Sequence, residues 1–134
     1  MPEEKDQWID VIAKLIKLTQ EEKIKWSSSA PPENLSGEKD RYVETTFLAE
    51  YKGKKLRLYQ RHLKVEEPPP FVFVAVSSGI KFPYWTSRIM LEIVDSSGRP
   101  LWEFPQVGPL NDLLTSVKYQ VSGVKDFIDK LLSE

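Results

Sequence analysis

Apolar side chains at three- and four-residue steps mark the beginning of the chain. They are Trp8, Val11, Ile12, Leu15 and Leu18. This spacing is typical of an amphipathic helix. Asp6 is a residue type that caps helices, so the pattern predicts a helix from about Asp6 to Thr19. Beyond it Ile24 and Trp26 alternate with lysines, which predicts a short edge strand. Residues 27–40 are almost entirely serine, proline, glycine and charged residues, and they predict a long flexible loop.

From Tyr42 the hydrophobic period changes to two, the period of a β-strand. The first such strand places one set on a single face, namely Val43, Thr45, Phe47, Ala49 and Tyr51. In the second, residues 54–65, Leu56 and Leu58 point inward, whereas Leu63 and Val65 have the other phase. A bulge near Tyr59 and Gln60 would reconcile the two halves.

Three further strands follow the Pro68–Pro70 run. Residues 71–76 are apolar on both faces and predict a central strand, and residues 89–93 and 101–104 predict two more. The turns at Lys52-Gly53 and Asp95–Gly98 are short. Short connections favour hairpins, so an antiparallel meander is predicted rather than parallel crossovers.

A long apolar stripe begins after Gly108-Pro109 and predicts a C-terminal helix. It consists of Leu110, Leu113, Leu114, Val117, Val121, Val124, Ile128, Leu131 and Leu132. Gly123 interrupts it and predicts a kink or two consecutive helices. The fold class is therefore α+β, in which an N-terminal helix, four to five antiparallel strands and a long C-terminal helix form one domain of 134 residues.

Composition excludes several classes of protein. The chain has no cysteine, which rules out disulfides, thiolate metal ligands and cysteine nucleophiles and fits a reducing compartment. A net charge of −1 excludes binding to polyanions through overall charge. No apolar run has the length of a membrane-spanning helix, and no signal peptide precedes the first helix. We expect a cytoplasmic protein without membrane contact.

Five short segments, taken together, form a pattern that can be compared with other proteins. They are Leu18-Thr19, Lys23-Ile24-Lys25-Trp26, Tyr51-Lys52-Gly53-Lys54, Ile93-Val94-Asp95-Ser96-Ser97-Gly98 and Gly123. In this combination the chain resembles a widespread family of small uncharacterised prokaryotic α+β proteins. The resemblance implies the same architecture and no assigned activity. The chain departs from the family pattern in having Glu22 where a glycine is usual, and in an enlarged segment, residues 79–88.

The residues that carry catalysis are scarce. His62 is the only histidine, and no metal-ligand spacing, nucleophile elbow or phosphate-binding loop accompanies it. His62 is interpreted as a surface residue. The acid pairs Glu44 with Glu50 and Glu66 with Glu67 fit solvated positions. The sequence therefore predicts no enzyme, no cofactor and no metal site.

Two surfaces are candidates for binding. The preferred one is the aromatic segment 79–88, interpreted as a loop whose rings either fold back on the core as a lid or contact a partner protein through Phe82, Tyr84 and Trp85. The alternative is the basic strand 52–64, where cations and a tyrosine could bind single-stranded nucleic acid without sequence preference. Its residues are Lys52, Lys54, Lys55, Arg57, Tyr59 and Arg61. The C-terminal stripe is also long enough for a homodimer. We expect a non-enzymatic protein-interaction or regulatory domain.

Overall fold

The structure, a computed structural model, describes residues 2–32, 35, 41–66, 79 and 83–134. It contains an N-terminal helix, a five-stranded antiparallel sheet and two C-terminal helices, which confirms the α+β prediction. The helices are α1 (Pro2–Gln20), α2 (Leu110–Ser122) and α3 (Val124–Leu132). The strands are β1 (Ser27–Ser29), β2 (Arg41–Tyr51), β3 (Lys54–Val65), β4 (Tyr84–Val94) and β5 (Pro100–Glu103).

Helix α1 begins at Pro2, so the prediction that Asp6 caps it is wrong. Proline suits the first helical position, where its missing N–H group has no intrahelical partner anyway. At the other end, the Lys23 N–H donates to the Leu18 carbonyl (2.9 Å) and the Glu22 N–H to the Thr19 carbonyl (3.1 Å). This is a Schellman ending, whose left-handed residue is Glu22 with φ of 60°. The family that the chain resembles usually has glycine at this position, and the left-handed conformation found here is one that favours glycine.

The residues after α1 are part of the core and form no strand there. Ile24 is fully buried and Trp26 nearly so, and the indole of Trp26 donates to the Thr19 hydroxyl at 3.0 Å. The strand comes later, at Ser27–Ser29, which pairs with residues 46–48 of β2. The edge strand therefore lies inside the segment that was predicted as a loop. The backbone hydrogen bonds of an edge strand do not require apolar side chains, so the hydrophobic pattern did not indicate it.

The sheet is a meander in the order β1-β2-β3-β4-β5, with every neighbour antiparallel. Lys52 and Gly53 join β2 to β3 with φ of 50° and 79°, as a two-residue hairpin turn of the primed type requires. The predicted strand at residues 71–76 lies outside the described residues.

A bulge interrupts the pairing of β2 with β3, and it lies on β2, not at Tyr59 and Gln60. The register passes from Val43 opposite Arg61 to Thr46 opposite Tyr59, so β2 has one residue more than β3 over this stretch. An extra residue inverts the alternation of side chains. Val43 and Phe47 consequently lie on opposite faces, and the prediction of one face from Val43 to Tyr51 was wrong.

The main core lies between one face of the sheet, here called the helix-side face, and the helices α1 and α2. The sheet contributes Phe47, Ala49, Leu56, Leu58 and Leu91, and the helices contribute Ile12, Leu18, Leu110, Leu113, Leu114 and Val117. On the other side, here called the opposite face, Val43, Tyr59 and Met90 form a second buried cluster. Both faces of the central strands are therefore buried.

Gly123 divides the C-terminal stripe into two helices, as one of the two predicted alternatives required. It has φ of 71° and ends α2 in the left-handed conformation. The four buried residues of α2 all precede it, whereas α3 contains no buried residue. The stripe of α3 is thus outside the core that the stripe of α2 helps to form.

Candidate interaction surface

The aromatic segment 79–88 is largely a strand. Tyr84 to Arg88 belong to β4 and pair with residues 61–65 of β3, so the prediction of a loop is wrong for these residues. Proline at position 83 cannot donate to a ladder, and the strand starts directly after it. Phe82 lies outside the described residues. Because successive strand residues alternate, Tyr84 lies on the opposite face and Trp85 on the helix-side face; the predicted contact residues do not form one site.

Three aromatic rings from three neighbouring strands meet on the helix-side face. Tyr42 of β2 stacks on His62 of β3, with ring centroids 4.6 Å apart and planes at 19°. Trp85 of β4 makes a T-shaped contact with Tyr42, with ring centroids 5.3 Å apart and planes at 75°, so it reaches over β3. We call Tyr42, His62 and Trp85 the ring cluster. In a β2 strand of this length, the ring cluster depends on the bulge, which brings Tyr42 to the same face as His62.

The ring cluster is partly open to solvent, and its His62 lies near the middle of α2. Trp85 is 50% exposed, and Tyr42 and His62 are half-buried. A small cavity of about 70 Å³ adjoins His62 and reaches Leu114 and Lys118 of α2. Lys64 is the partner of Trp85 in the ladder, and its ammonium pairs with the carboxylate of Glu66 at 3.4 Å. The site is an apolar surface bordered by charges of both signs.

The basic strand does not form one cationic surface. Alternation along β3 places Lys54 on the helix-side face, whereas Lys55 and Arg61 lie on the opposite face. Lys52 lies in the hairpin turn, with its ammonium 5.8 Å from the ring of Tyr51. Arg57 and Tyr59, two members of the predicted nucleic-acid set, are only 2% exposed. A buried ring cannot stack on a base, so these two residues are wrong as binding residues.

Arg57 instead forms a buried ion pair with Glu92, its partner across the ladder. Nε and one terminal nitrogen of the guanidinium donate to the same carboxylate oxygen, at 3.0 and 2.9 Å. The other terminal nitrogen donates to the Gly98 carbonyl at 3.0 Å. Burial, reinforced by the nearby Glu92 charge, raises the pKa of Tyr59 to about 12. Arg57, Glu92 and Tyr59 therefore interact with one another on the buried opposite face of the sheet, and their role is structural.

The described residues contain few groups for catalysis. No cluster of three or more His, Asp or Glu side chains that could hold a metal ion occurs among them. The cavity beside His62 has Glu44 as its one carboxylate among those residues. Asp95, whose pKa is lowered chiefly by a hydrogen bond from Ser97, is engaged in the turn before β5, where its carboxylate also accepts the Arg99 N–H.

No pattern in the sequence indicates the role of Gln120. Its side-chain oxygen accepts the Trp26 N–H at 2.7 Å, and its nitrogen donates to the carbonyls of Thr19 (2.9 Å) and Ile24 (2.8 Å). One amide thus joins α2 to the segment between α1 and β1. Gln120 also borders a cleft of about 610 Å³ between the end of α1 and helices α2 and α3.

Comparison of the chain with models of protein families, with curated proteins and with solved structures finds no match. Within the part of the chain that the structure describes, no helix combines the length and the apolar character needed to cross a membrane.

Proposed function

We propose that this chain is a non-enzymatic protein-interaction domain that binds a partner protein through the ring cluster. The observation that carries the proposal is the meeting of Tyr42, His62 and Trp85 on one exposed part of the sheet. Aromatic side chains are enriched where protein interfaces bind most strongly, because they bury large areas at little cost in side-chain entropy. A regulatory role, exerted through that partner, is compatible with the absence of a recognisable catalytic arrangement in the described residues.

The mutual contacts of the rings support this interpretation. Tyr42 and His62 restrict each other by stacking, and Trp85 lies against the edge of Tyr42. Rings that are already ordered lose less conformational entropy when a partner covers them. All three are attached to paired strands, so the surface keeps its shape without the partner.

Single-stranded nucleic acid is the alternative ligand, and it has less support. Stacking rings require a cationic track beside them, and the cations of β3 are divided between two faces. The ring cluster retains Lys64 as a neighbour. Oligonucleotide binding measured at several salt concentrations therefore tests this alternative.

The proposal is tested with the purified chain as bait for cellular proteins, comparing Trp85→Ser with Trp102→Ser. The two tryptophans are matched in exposure, at 50% and 51%, but Trp102 lies on β5, where it stacks on Trp8. We expect a partner that the wild type and Trp102→Ser capture and that Trp85→Ser does not, with the melting temperature of Trp85→Ser close to that of the wild type.

These two variants, together with Lys64→Glu, distinguish a protein partner from a nucleic acid. Capture that survives Trp85→Ser, or that is lost equally in both variants, would refute the ring cluster as the binding surface. Binding of a fluorescent single-stranded oligonucleotide that falls steeply with salt, and is lost on Lys64→Glu, would replace the protein partner by a nucleic acid.

A further inference from the structure

Helix α3 presents an apolar stripe that faces away from the protein to which it is attached. At about 100° per residue, the polar residues of α3 lie on the half of the helix opposite the stripe. Three of them, Lys125, Asp126 and Asp129, line the cleft toward α1 and α2. The apolar residues fall on the other side. A helix that belongs to a core has the reverse orientation, with its apolar side toward the sheet.

The stripe is exposed along its whole length. Phe127 is 64% exposed, Ile128 38%, Leu131 56% and Leu132 78%. Among the described elements, α3 contacts only α2 extensively. Contiguous apolar patches of roughly 300–600 Å² are about the largest that monomers carry, and they are often functional. The stripe is therefore an exposed apolar surface of the kind that often serves a function.

The charges beside the stripe are self-complementary. Asp126 and Lys130 flank it on one side, four residues apart, and form an exposed ion pair of 3.0 Å within the helix. Lys125 and Asp129 flank it on the other side with the order of charges reversed. In an antiparallel pair of identical helices, each flank faces the same flank of the other copy. Asp126 then meets Lys130 of the second copy, and Lys125 meets Asp129.

We infer that α3 is a homodimerisation helix, which pairs antiparallel with α3 of a second copy of this chain about a two-fold axis near Ile128. The two lysines and two aspartates cancel, whereas helices that bind lipid surfaces carry excess lysine and arginine on the polar side; this favours a second copy over a membrane. Because α3 has only nine residues, we expect an interface below the roughly 800 Å² per partner of a standard one, and therefore a reversible dimer. This inference does not depend on the ring cluster.

Sedimentation velocity over a series of chain concentrations tests the dimer. We expect the wild type to pass from one chain to two as the concentration rises, and Leu131→Ser to stay at one chain. Because α3 buries no residue, Leu131→Ser is expected to keep the melting temperature and the circular dichroism spectrum of the wild type. A wild type that is monomeric up to millimolar concentration, or a Leu131→Ser chain that still dimerises, would overturn the inference.

A charge exchange tests the antiparallel arrangement. Asp126→Lys places lysine against Lys130 of the second copy, and Lys130→Asp places aspartate against Asp126, so each variant alone is expected to dimerise roughly five- to tenfold more weakly. An equal mixture of the two variants restores both opposite-charge contacts and is expected to form the heterodimer with wild-type affinity. A mixture that associates no better than the separate variants would contradict the antiparallel arrangement. Vesicles of anionic lipid provide the last comparison, since binding to them without self-association would also overturn the dimer.

Discussion

The ion pair between Arg57 and Glu92 provides the sharpest prediction about stability. Both side chains are buried, with 2% and 5% exposed, and the guanidinium makes two hydrogen bonds to one carboxylate oxygen. Methionine has a similar length and no charge. We therefore consider Arg57→Met, Glu92→Met and the double substitution.

The single substitutions should be costly and the double one should not. Removing one partner of a buried ion pair leaves a charge in a low dielectric and costs about 3–5 kcal/mol. Replacing both partners by apolar side chains is often neutral or stabilising. Gly98, whose carbonyl loses its donor in Arg57→Met, is a half-buried residue in a turn, and we expect water to replace the lost donor. We expect each single variant to lose about 3–5 kcal/mol and the double variant to lose only about 1–2 kcal/mol, because the buried Tyr59 hydroxyl loses Glu92 as its hydrogen-bond partner.

Urea unfolding, monitored by tryptophan fluorescence, measures these free energies by linear extrapolation. Glu92→Gln is a milder variant that keeps an acceptor for Arg57, and it gives a measurable value if Glu92→Met does not fold. Asp126→Asn is the matched control, since its pair with Lys130 is exposed and should contribute less than about 0.5 kcal/mol. Single variants that cost under about 1 kcal/mol, or a double variant that costs the sum of both, would refute the reasoning.

Three further predictions concern Tyr59, Gln120 and Glu22. The pKa of Tyr59 in the folded protein is about 12, above its ordinary value of 10.0, so its contribution to stability is complete below pH 10 and is lost as the pH rises toward 12. Wild type should lose about 2 kcal/mol more than Tyr59→Phe across this range in urea unfolding, and equal losses would contradict the assignment. Gln120→Leu leaves the Trp26 N–H and two carbonyls without their partner and should cost about 2–4 kcal/mol in thermal unfolding, whereas a cost near zero would show that water replaces the amide. Glu22→Gly relieves a left-handed conformation with φ of 60° and should stabilise the protein by about 0.5–1 kcal/mol, with any destabilisation counting against strain at this residue.

Periodicity was sufficient for most of the fold. The stripe of α1, the hairpin at Lys52-Gly53 and the division of the C-terminal stripe at Gly123 each follow from one local rule about spacing or backbone freedom. Such rules act within a few residues, so a sequence shows them directly. The antiparallel meander then follows from the shortness of the connections.

The predictions that were wrong concern features that depend on contacts between residues far apart in the sequence. The bulge in β2 leaves no local signal, because it exists only in the pairing with β3. Arg57 resembles its solvated neighbours in sequence, and only the register that places Glu92 opposite shows that it is buried. In a β2 strand of this length, the ring cluster needs both the bulge and the full length of β4. Its residues were visible as aromatic rings, but their common face was not.

The extra residue in β2 can be lost without loss of the ring cluster. Tyr42 lies five positions before Phe47, and only the bulge allows both side chains to lie on the helix-side face. Removing one residue between Val43 and Thr46 would shorten this separation to four positions, and simple alternation would then keep Tyr42 opposite His62 without a bulge. Among related sequences, chains that lack the extra residue would therefore carry the same surface, and the aromatic residues rather than the bulge would identify it.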